Sequence, residues 1–354
     1  MSLHSTLSTF PQSTRVEDSS LFLLSGEKNP LPQAELRALL ETYGNNDTRL
    51  FFPHPRVGIA TNFHGRAGAT RRGAFIRFGG QLIAIYSTER FAERYSMNDV
   101  LSPRQSFAVR VVSLSGPVDI GRWERILGEN LKRSNPDSTV NLDSPDELIL
   151  GVLCGNILLV SKSVVGMARR QWRSRRPSER PFFHPSALQP KFGCALVNLS
   201  RIRTDQWLLD PFCGTGSILM EANRLGIQSI GIDLAGKMVR GTLVNLRSFG
   251  LQSCGVVHAD STRPPVCGID AVVTDLPYGL SSSTLGRSTE ELALEFINRL
   301  PEVLRSGGHA CIVHPSELNL ESLGEIELRE QYQVRVNGRL TRTISIFKKV
   351  GMSN

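Results

Sequence analysis

The chain has 354 residues, which is enough for two or three domains with hydrophobic cores of their own. A hydrophobic content of 40% and a formal net charge of +8 suit a globular protein with a polyanionic partner, and no apolar run reaches the roughly 20 residues of a membrane span. Six cysteines without metal-binding spacing favour reduced thiols, so we expect a cytoplasmic protein with no bound metal.

Short strands alternate with helices in the first half of the chain. Residues 1–20 are rich in Ser and Thr and are expected to form a flexible leader. Gly155 and Asn156 separate two apolar runs and predict a tight hairpin. The other elements predicted up to residue 161 are strands at 21–24, 107–114, 140–142, 147–154 and 157–161, apolar stretches at 57–60 and 82–86, and helices at 32–43 and 120–131. This order predicts a compact α+β region.

A basic segment follows at residues 167–177. Its arginines surround a tryptophan: Arg169, Arg170, Trp172, Arg173, Arg175 and Arg176. One interpretation is a solvated linker between domains. The other is a hinge that contacts phosphates, with the tryptophan stacking on a base or on an arginine. Beyond this segment, a helix is predicted from about Pro190 to Leu199.

The stretch from Trp207 to Gly279 predicts the start of a doubly wound α/β domain. An apolar run ends in Asp210 and enters the glycine-rich turn at 213–216, after which a helical pattern begins. Further apolar runs end at Asp233, Asp260 and Asp275. Because ligands of this fold class lie beyond the carboxyl ends of the strands, four acids at strand ends indicate a ligand site.

The glycine-rich turn favours a cationic ligand over a dinucleotide. A dinucleotide-binding turn has a third glycine where this chain has Leu219, and Asp210 would be a poor neighbour for pyrophosphate. The carboxylate suits the amino-acid end of S-adenosylmethionine, with Gly214 and Gly216 letting the backbone approach the ligand. Cys213 is expected to contribute packing or backbone near the methionine part, not to attack a base.

Two of the remaining acids are expected to bind the rest of this cofactor. Asp233 is placed to accept both ribose hydroxyl protons, and Asp260 could accept a hydrogen bond from the adenine amino group. The alternative for each is a helix cap, because aspartate is favoured there.

The sequence Asp275-Leu276-Pro277-Tyr278 is expected to carry the chemistry. An exocyclic amino nitrogen is a poor nucleophile, because its lone pair is delocalised into the ring. A carboxylate at Asp275 and a backbone carbonyl held by Pro277 would aim that lone pair and stabilise the developing charge, and Tyr278 would stack on an extruded base. An ordinary β-turn is the alternative. The motif predicts a methyltransferase that acts on an amino group.

Four stretches resemble one enzyme family, the THUMP-containing tRNA N2-guanine methyltransferases of the archaeal type that modifies guanine 10. They are FLLSGEKNPLPQAELRALLETYG (22–44), RPFFHPSALQPKFGCALVNLSR (180–201), DPFCGTGSILMEA (210–222) and TDLPYG (274–279). The common motif has a first proline where this chain has Leu276. The resemblance implies S-adenosylmethionine as cofactor, tRNA as partner, and N2-methylation of guanine 10 to a mono- or dimethyl product.

The resemblance also implies a domain order and roles for the site residues. The order is a leader (1–20), a ferredoxin-like subdomain (21–100), a THUMP RNA-binding module (101–165), a basic linker (166–190) and a Rossmann-like methyltransferase domain (191–354). In the family's pattern Asp210, Gly214 and Gly216 border the methionine part, while Asp275 holds the guanine N2. We expect a monomer that binds no membrane.

Other functions remain open from the sequence. The enzyme could act on another tRNA guanine, on rRNA or on an adenine amino group. The chain could also be an inactive RNA-binding protein. A nicotinamide-dependent dehydrogenase is disfavoured by Leu219 and by the lack of a hydride-site pattern.

Overall fold

The computed structural model describes residues 18–88, 97–98, 100–163, 172–251, 255–277, 288–335 and 341–351. These residues divide into two compact units. The first unit takes its described residues from Met1–Gly26, Tyr43–Arg71 and Ile76–Arg169, and the second from Glu27–Thr42, Arg72–Phe75 and Arg170–Asn354. Within the described ranges no helix is both long enough and apolar enough to cross a membrane.

The strands and helices are numbered separately in chain order. The strands are β1 (Ser19–Leu24), β2 (Arg49–His54), β3 (Val57–Thr61), β4 (Ile76–Ser87), β5 (Ser106–Ser113), β6 (Thr139–Val140), β7 (Glu147–Cys154), β8 (Ile157–Ser163), β9 (Trp207–Asp210), β10 (Gln228–Asp233), β11 (Gly255–His258), β12 (Ile269–Asp275), β13 (Leu304–Pro315), β14 (Ile326–Arg335) and β15 (Thr341–Lys349). The helices are α1 (Leu31–Tyr43), α2 (Arg66–Arg72), α3 (Ile120–Ser134), α4 (Pro190–Leu199), α5 (Ser217–Arg224), α6 (Gly236–Ser248), α7 (Thr289–Ile297) and α8 (Leu300–Val303).

The first unit is built on one eight-stranded sheet in the order β2-β3-β1-β4-β8-β7-β5-β6. Its neighbouring strands are antiparallel, except that β5 pairs in parallel with both β6 and β7. Helix α3 covers this end of the sheet, and its Leu127 and Leu131 are fully buried in a cluster with Phe107 of β5. The apolar spacing that predicted this helix is therefore its core-facing stripe.

Most elements predicted in the first half are confirmed, with small shifts of their ends. The hairpin at Gly155 and Asn156 is confirmed, since Cys154 pairs directly with Ile157. The stretch 82–86 belongs to the longer strand β4. The strand predicted at 140–142 ends at Val140, because the Asn141 side chain closes a turn by accepting hydrogen bonds from the amides of residues 143 and 144, at 3.1 and 3.0 Å.

The second unit is built on a seven-stranded sheet in the order β11-β10-β9-β12-β13-β15-β14. Strands β9 to β13 are parallel, and β15 is antiparallel to both β13 and β14. The chain first builds outward from β9 to β11 and then returns to place β12 on the other side of β9. The doubly wound fold predicted from residues 207–279 is confirmed, and its topological switch point lies between β9 and β12.

Helix α1 and residues 72–75 complete the core of the second unit. Leu31, Ala34 and Phe75 lie in one buried cluster with residues of α4 and β9. The fully buried carboxylate of Glu35 accepts hydrogen bonds from the backbone amides of Ala74 and Phe75, at 2.6 and 2.7 Å. A segment far from 191–354 in sequence thus belongs to the same packed unit.

The first sheet takes strands from both of the modules expected at 21–100 and 101–165. Its central neighbours β4 and β8 join them in one continuous hydrogen-bonded ladder. The division into a ferredoxin-like subdomain and a THUMP module therefore stays a prediction.

Candidate active site

A cavity of about 360 Å³ lies in the second unit, at the carboxyl ends of the parallel strands. The predicted site residues that line it are Asp210, Cys213, Gly214, Asp233, Asp260, Asp275 and Pro277. The sheet order explains this convergence, because the last residues of β9, β10 and β12 lie on three adjacent strands. This is the crevice where ligands of doubly wound sheets bind.

Asp210 is the most deeply buried acid of the cavity, with 1% of its surface exposed. Its Oδ1 accepts hydrogen bonds from the Thr274 hydroxyl at 2.9 Å and from the Phe212 amide at 3.3 Å. Burial, reinforced by the charges of Asp233 and Asp275, raises the pKa of Asp210 to about 8. An anion would bind poorly beside this acid, whereas a cationic ligand would favour its ionised form.

Asp233 ties the glycine-rich turn to the loop after β10. Its Oδ2 accepts a hydrogen bond from the Gly214 amide at 2.9 Å, and its Oδ1 accepts one from the Ala235 amide at 2.8 Å. Burial raises the pKa of this carboxyl also. Helix α6 begins at Gly236 with Ala235 as its N-cap, so Asp233 lies before the cap position. Each carboxylate oxygen has a second lone pair that could accept a ligand hydroxyl.

The two glycines of the turn have different surroundings. Both have positive φ angles, +52° at Gly214 and +79° at Gly216, which L side chains rarely adopt. Gly214 lines the cavity, whereas Gly216 does not. A Cβ at Gly216 would lie 2.7 Å from Cγ2 of Thr242, so glycine is required there by packing against α6 as well as by the turn.

Cys213 lies at the cavity wall but is almost completely buried. Its amide donates a hydrogen bond to the Ile232 carbonyl at 2.9 Å, which joins the turn to β10. Burial and the neighbouring acids Asp210 and Asp233 raise the pKa of the thiol well above its ordinary value. A protonated thiol is a poor nucleophile, so this thiol is poorly suited to attack a base.

Asp260 lies two residues after the end of β11 and not on the strand itself. Its Oδ1 accepts hydrogen bonds from the Thr262 amide at 2.9 Å and the Thr262 hydroxyl at 2.8 Å. This turn fixes the carboxylate at the cavity lining.

The Asp275-Leu276-Pro277 segment leaves β12 beside the switch point. The Leu276 amide donates a hydrogen bond to the Val313 carbonyl at 2.9 Å, and its side chain is buried. A proline at this position would have no N–H for that bond, so leucine allows a backbone hydrogen bond between the start of the loop and β13 that proline would not. Tyr278 lies outside the described residues.

Three residues around these acids were missed in the sequence. Thr274 donates to Asp210. Arg342 of β15 places its Nη1 3.5 Å from Oδ2 of Asp275. Lys237 lines the cavity from the first turn of α6. The contacts of Thr274 and Arg342 join residues that are far apart in the chain, and no local pattern around Arg342 or Lys237 marks them.

The segment 180–188 forms part of the cavity wall, and we call it the strap. The buried Arg180 guanidinium donates hydrogen bonds to the Ser217 hydroxyl at 2.6 Å and the Leu188 carbonyl at 3.1 Å. Burial lowers the pKa of Arg180 to about 10. Asn245 of α6 pairs with the backbone N–H and C=O of Phe182, both at 2.9 Å. These bonds hold residues 184–188 against the cavity. In the sequence, the motif RPFFHP was the feature that marked this segment.

In the described part of the basic segment, from Trp172 onward, Arg175 forms a buried ion pair with Glu221. The Arg175 guanidinium binds both carboxylate oxygens of Glu221, at 2.9 and 3.1 Å, and lies 5.2 Å from the centre of the Trp172 ring. Trp172 therefore stacks on an arginine, one of the two arrangements considered for it. Arg173 and Arg176 are exposed, whereas Arg175 is buried. Arg169 and Arg170 lie outside the described residues.

The acidic side chains that line the cavity fit S-adenosylmethionine. Among the residues that the structure describes, no group of three or more His, Cys, Asp or Glu side chains could hold a metal ion. The buried carboxylates with raised pKa suit a ligand that brings a positive charge, and Asp233 could also accept hydroxyl hydrogen bonds.

Comparison with known proteins identifies the family. Residues 177–344 match the model of the RMKL-like methyltransferase domain. The tRNA (guanine(10)-N2)-dimethyltransferase of Methanothermobacter thermautotrophicus is 37% identical over 341 residues, covering 93% of this chain and 99% of that protein. The enzyme of the same name from Methanocaldococcus jannaschii is 29% identical, with 93% of this chain and 99% of that protein covered.

A solved structure supports the same fold. The crystal structure of SMU.472, which is complexed with SAH, aligns over 95% of this chain and 100% of its own, with a TM-score of 0.53 at 14% identity. The long alignment to the Methanothermobacter enzyme carries the assignment. This chain belongs to the family of the tRNA (guanine(10)-N2)-dimethyltransferases.

Proposed function

We propose that this protein transfers methyl groups from S-adenosylmethionine to the exocyclic N2 of a guanine in tRNA, at guanine 10. The observation that carries the proposal is the position of Asp275. It ends β12 beside the switch point, at the same cavity as Asp210 and Asp233. The names of the relatives supply the substrate, because they act on guanine 10 of tRNA and form a dimethyl product.

The acids and the turn would hold the cofactor. Asp210 and Gly214 would border its cationic methionine part, Asp233 its ribose and Asp260 its adenine. The buried acids support this orientation, because the positive charge of the methionine end would favour their ionised form. S-adenosylmethionine, when bound, supplies an electrophilic methyl group whose C–S bond breaks as the amino nitrogen forms the new C–N bond.

Asp275 and Pro277 would prepare the nucleophile. The Asp275 carboxylate would accept a hydrogen bond from the guanine amino group, which directs the nitrogen lone pair toward the methyl carbon. The same carboxylate would stabilise the positive charge that develops on the nitrogen before its proton is lost. The neighbouring turn at Pro277 would supply a backbone carbonyl as a second acceptor, and Tyr278 a face for the extruded base.

Exposed cations would hold the RNA. The net charge of +8 favours a polyanion, and Arg173 and Arg176 are exposed on the segment next to the strap. The buried Arg175 is paired with Glu221, so the proposal for this segment is restricted to its exposed arginines. Residues 101–165 of the first unit would bind tRNA as the THUMP module.

Replacing Asp275 by alanine tests the catalytic part of the proposal. With unmodified tRNA and labelled cofactor, we expect Asp275→Ala to lose at least a hundredfold in turnover while it still binds the cofactor in a calorimeter. Asp205→Ala, which removes an exposed acid, is the matched control and should keep full activity.

Retained turnover in Asp275→Ala would remove this residue from the catalytic role. A wild-type protein that binds the cofactor but methylates no tRNA would support the alternative of an inactive RNA-binding protein.

A further inference from the structure

Strand topology brings an arginine from the end of the chain to the candidate catalytic acid. Strand β15 runs antiparallel to its neighbours, so its first residues lie at the carboxyl edge of the parallel strands, where the cavity is. In the register, Arg342 pairs with Pro315 of β13, and Asp275 of β12 pairs with Val313. The guanidinium therefore has to reach across one strand only.

The contact is a partly buried ion pair. Arg342 Nη1 lies 3.5 Å from Asp275 Oδ2, and each side chain is only 14% exposed. An exposed pair of this kind would contribute little, but screening by water is weaker at this depth. The same burial argues against Arg342 as a surface contact for RNA phosphates, which Arg173 and Arg176 are better placed to make.

The other acids of the cavity make the ion pair with Arg342 important for the charge of Asp275. Asp210, Asp233 and Asp260 face the same space, and like charges favour protonation of their neighbours. Burial, reinforced by the charges of Asp233 and Asp275, raises the pKa of Asp210 to about 8, whereas Asp275 has a cation beside it. Among the described residues, the other ionisable groups that line the cavity are Lys237, His184 and the Cys213 thiol, while His314 of β13 is bonded to the Ser345 hydroxyl and the Pro315 carbonyl.

We propose that Arg342 is a positioning residue for the methyl transfer, holding the Asp275 carboxylate ionised and oriented for the amino group. The inference rests on the proposed function of Asp275 and assigns it a partner from β15. Of two acids at adjacent strand ends, Arg342 selects Asp275 as the one that carries the charge. Different environments for two neighbouring acids are a common way to assign them different tasks.

The pH dependence of the rate tests the proposal on the full-length enzyme. Without the guanidinium, Asp275 would take up a proton at higher pH, so the acid limb of single-turnover methylation should move upward by about one pH unit or more in Arg342→Gln. We expect a rate up to about tenfold below that of the wild type on the shifted acid limb, recovering toward pH 9, with tRNA affinity unchanged. Arg342→Lys keeps the charge and should restore a profile close to that of the wild type.

Arg329→Gln, a charge removal on the neighbouring strand β14, is the matched control and should leave the profile unchanged. A slower Arg342→Gln enzyme with an unshifted acid limb would overturn the proposal, as would a loss confined to tRNA affinity. If Arg342→Gln does not fold, the pH titration of the Asp275 carboxyl carbon in the wild type, followed by NMR, tests the proposal instead. The signal of this carboxyl is identified by its absence in Asp275→Asn. Asp275 should stay ionised from about pH 8 down to about pH 5, and protonation within that range contradicts the inference.

The two proposals fail differently. A wild-type enzyme that transfers no methyl group to tRNA counts against the proposed function. An active wild-type enzyme whose Arg342→Gln variant keeps the wild-type pH profile counts against the role of Arg342 alone.

Discussion

Asp210 shows how one buried side chain sets the charge that the cavity accepts. It is fully enclosed, accepts a hydrogen bond from Thr274, and has a pKa raised to about 8. At neutral pH the acid of the free protein is therefore mostly protonated. A ligand with a positive charge next to it would shift the equilibrium to the carboxylate.

Cofactor binding should consequently release a proton from Asp210. We expect the affinity for S-adenosylmethionine to rise as the pH is raised toward about 8 and then to level off, because protons compete with the ligand below that pH. Calorimetry at pH 7 in buffers of different ionisation enthalpy measures the number of protons released. Asp210→Asn should bind more weakly and release fewer protons, whereas Asp205→Asn should match the wild type.

Equal proton release by the wild type and Asp210→Asn would show that this carboxyl does not titrate on binding.

The residues predicted from the sequence are those with a local signature. Asp210 and Asp275 each follow an apolar run and precede a turn, so their place at strand ends could be predicted. Their partners Thr274 and Arg342 could not, because the contacts depend on which strands become neighbours. The order β9-β12-β13-β15 is a property of the folded sheet and not of any window of sequence.

At the scale of elements, the segment from Trp172 to Leu188 carries buried arginines that bind the helix after the glycine-rich turn and exposed arginines that face solvent. Two short 3₁₀ turns, Arg173–Arg175 and Pro177–Glu179, bring Arg175 to Glu221 and Arg180 to Ser217 of α5. The strap then continues past the cavity. The sequence of the segment showed that it is basic but did not predict the ion pair between Arg175 and Glu221, because these residues are 46 positions apart.

The exposed arginines of the same segment should bind tRNA without supporting the fold. In the double variant Arg173→Ala and Arg176→Ala, we expect unchanged thermal stability and cofactor affinity. Binding to tRNA should weaken, and the slope of log affinity against log salt should fall by about 1 for each phosphate that these arginines neutralise. Titration by filter binding at several salt concentrations measures both quantities.

The control is the double variant Arg224→Ala and Arg247→Ala, which removes the same charge from exposed positions on α5 and α6. An affinity and salt slope equal to those of the wild type in the Arg173 and Arg176 variant would leave this segment as a solvated linker.

At the scale of the whole molecule, two units are built from interleaved parts of the chain. The second unit includes α1 and residues 72–75, which contribute Leu31 and Phe75 to its core. Local periodicity predicted α1 correctly but could not assign it to a unit, since the apolar face of a helix does not specify what covers it. The doubly wound sheet was predictable because its first two strands, β9 and β10, are each followed by a turn or loop and a helix.

The same limit applies to the substrate. Residues 207–279 predict methyl transfer to an amino group. The nucleotide that carries this amino group is inferred from the relatives of the chain. Family membership and the cavity together point to N2 of guanine 10 as the methylated atom.

Inosine at position 10 tests that claim directly, because inosine pairs like guanine but lacks the exocyclic amino group. Unmodified tRNA should gain one or two methyl groups on N2 of guanine 10, located by mass spectrometry of nuclease fragments. A transcript with inosine only at position 10 should gain none, while one with inosine at another guanine should be methylated normally. Methylation that persists in the inosine-10 transcript, or that maps to another guanine or to an adenine, would contradict the account.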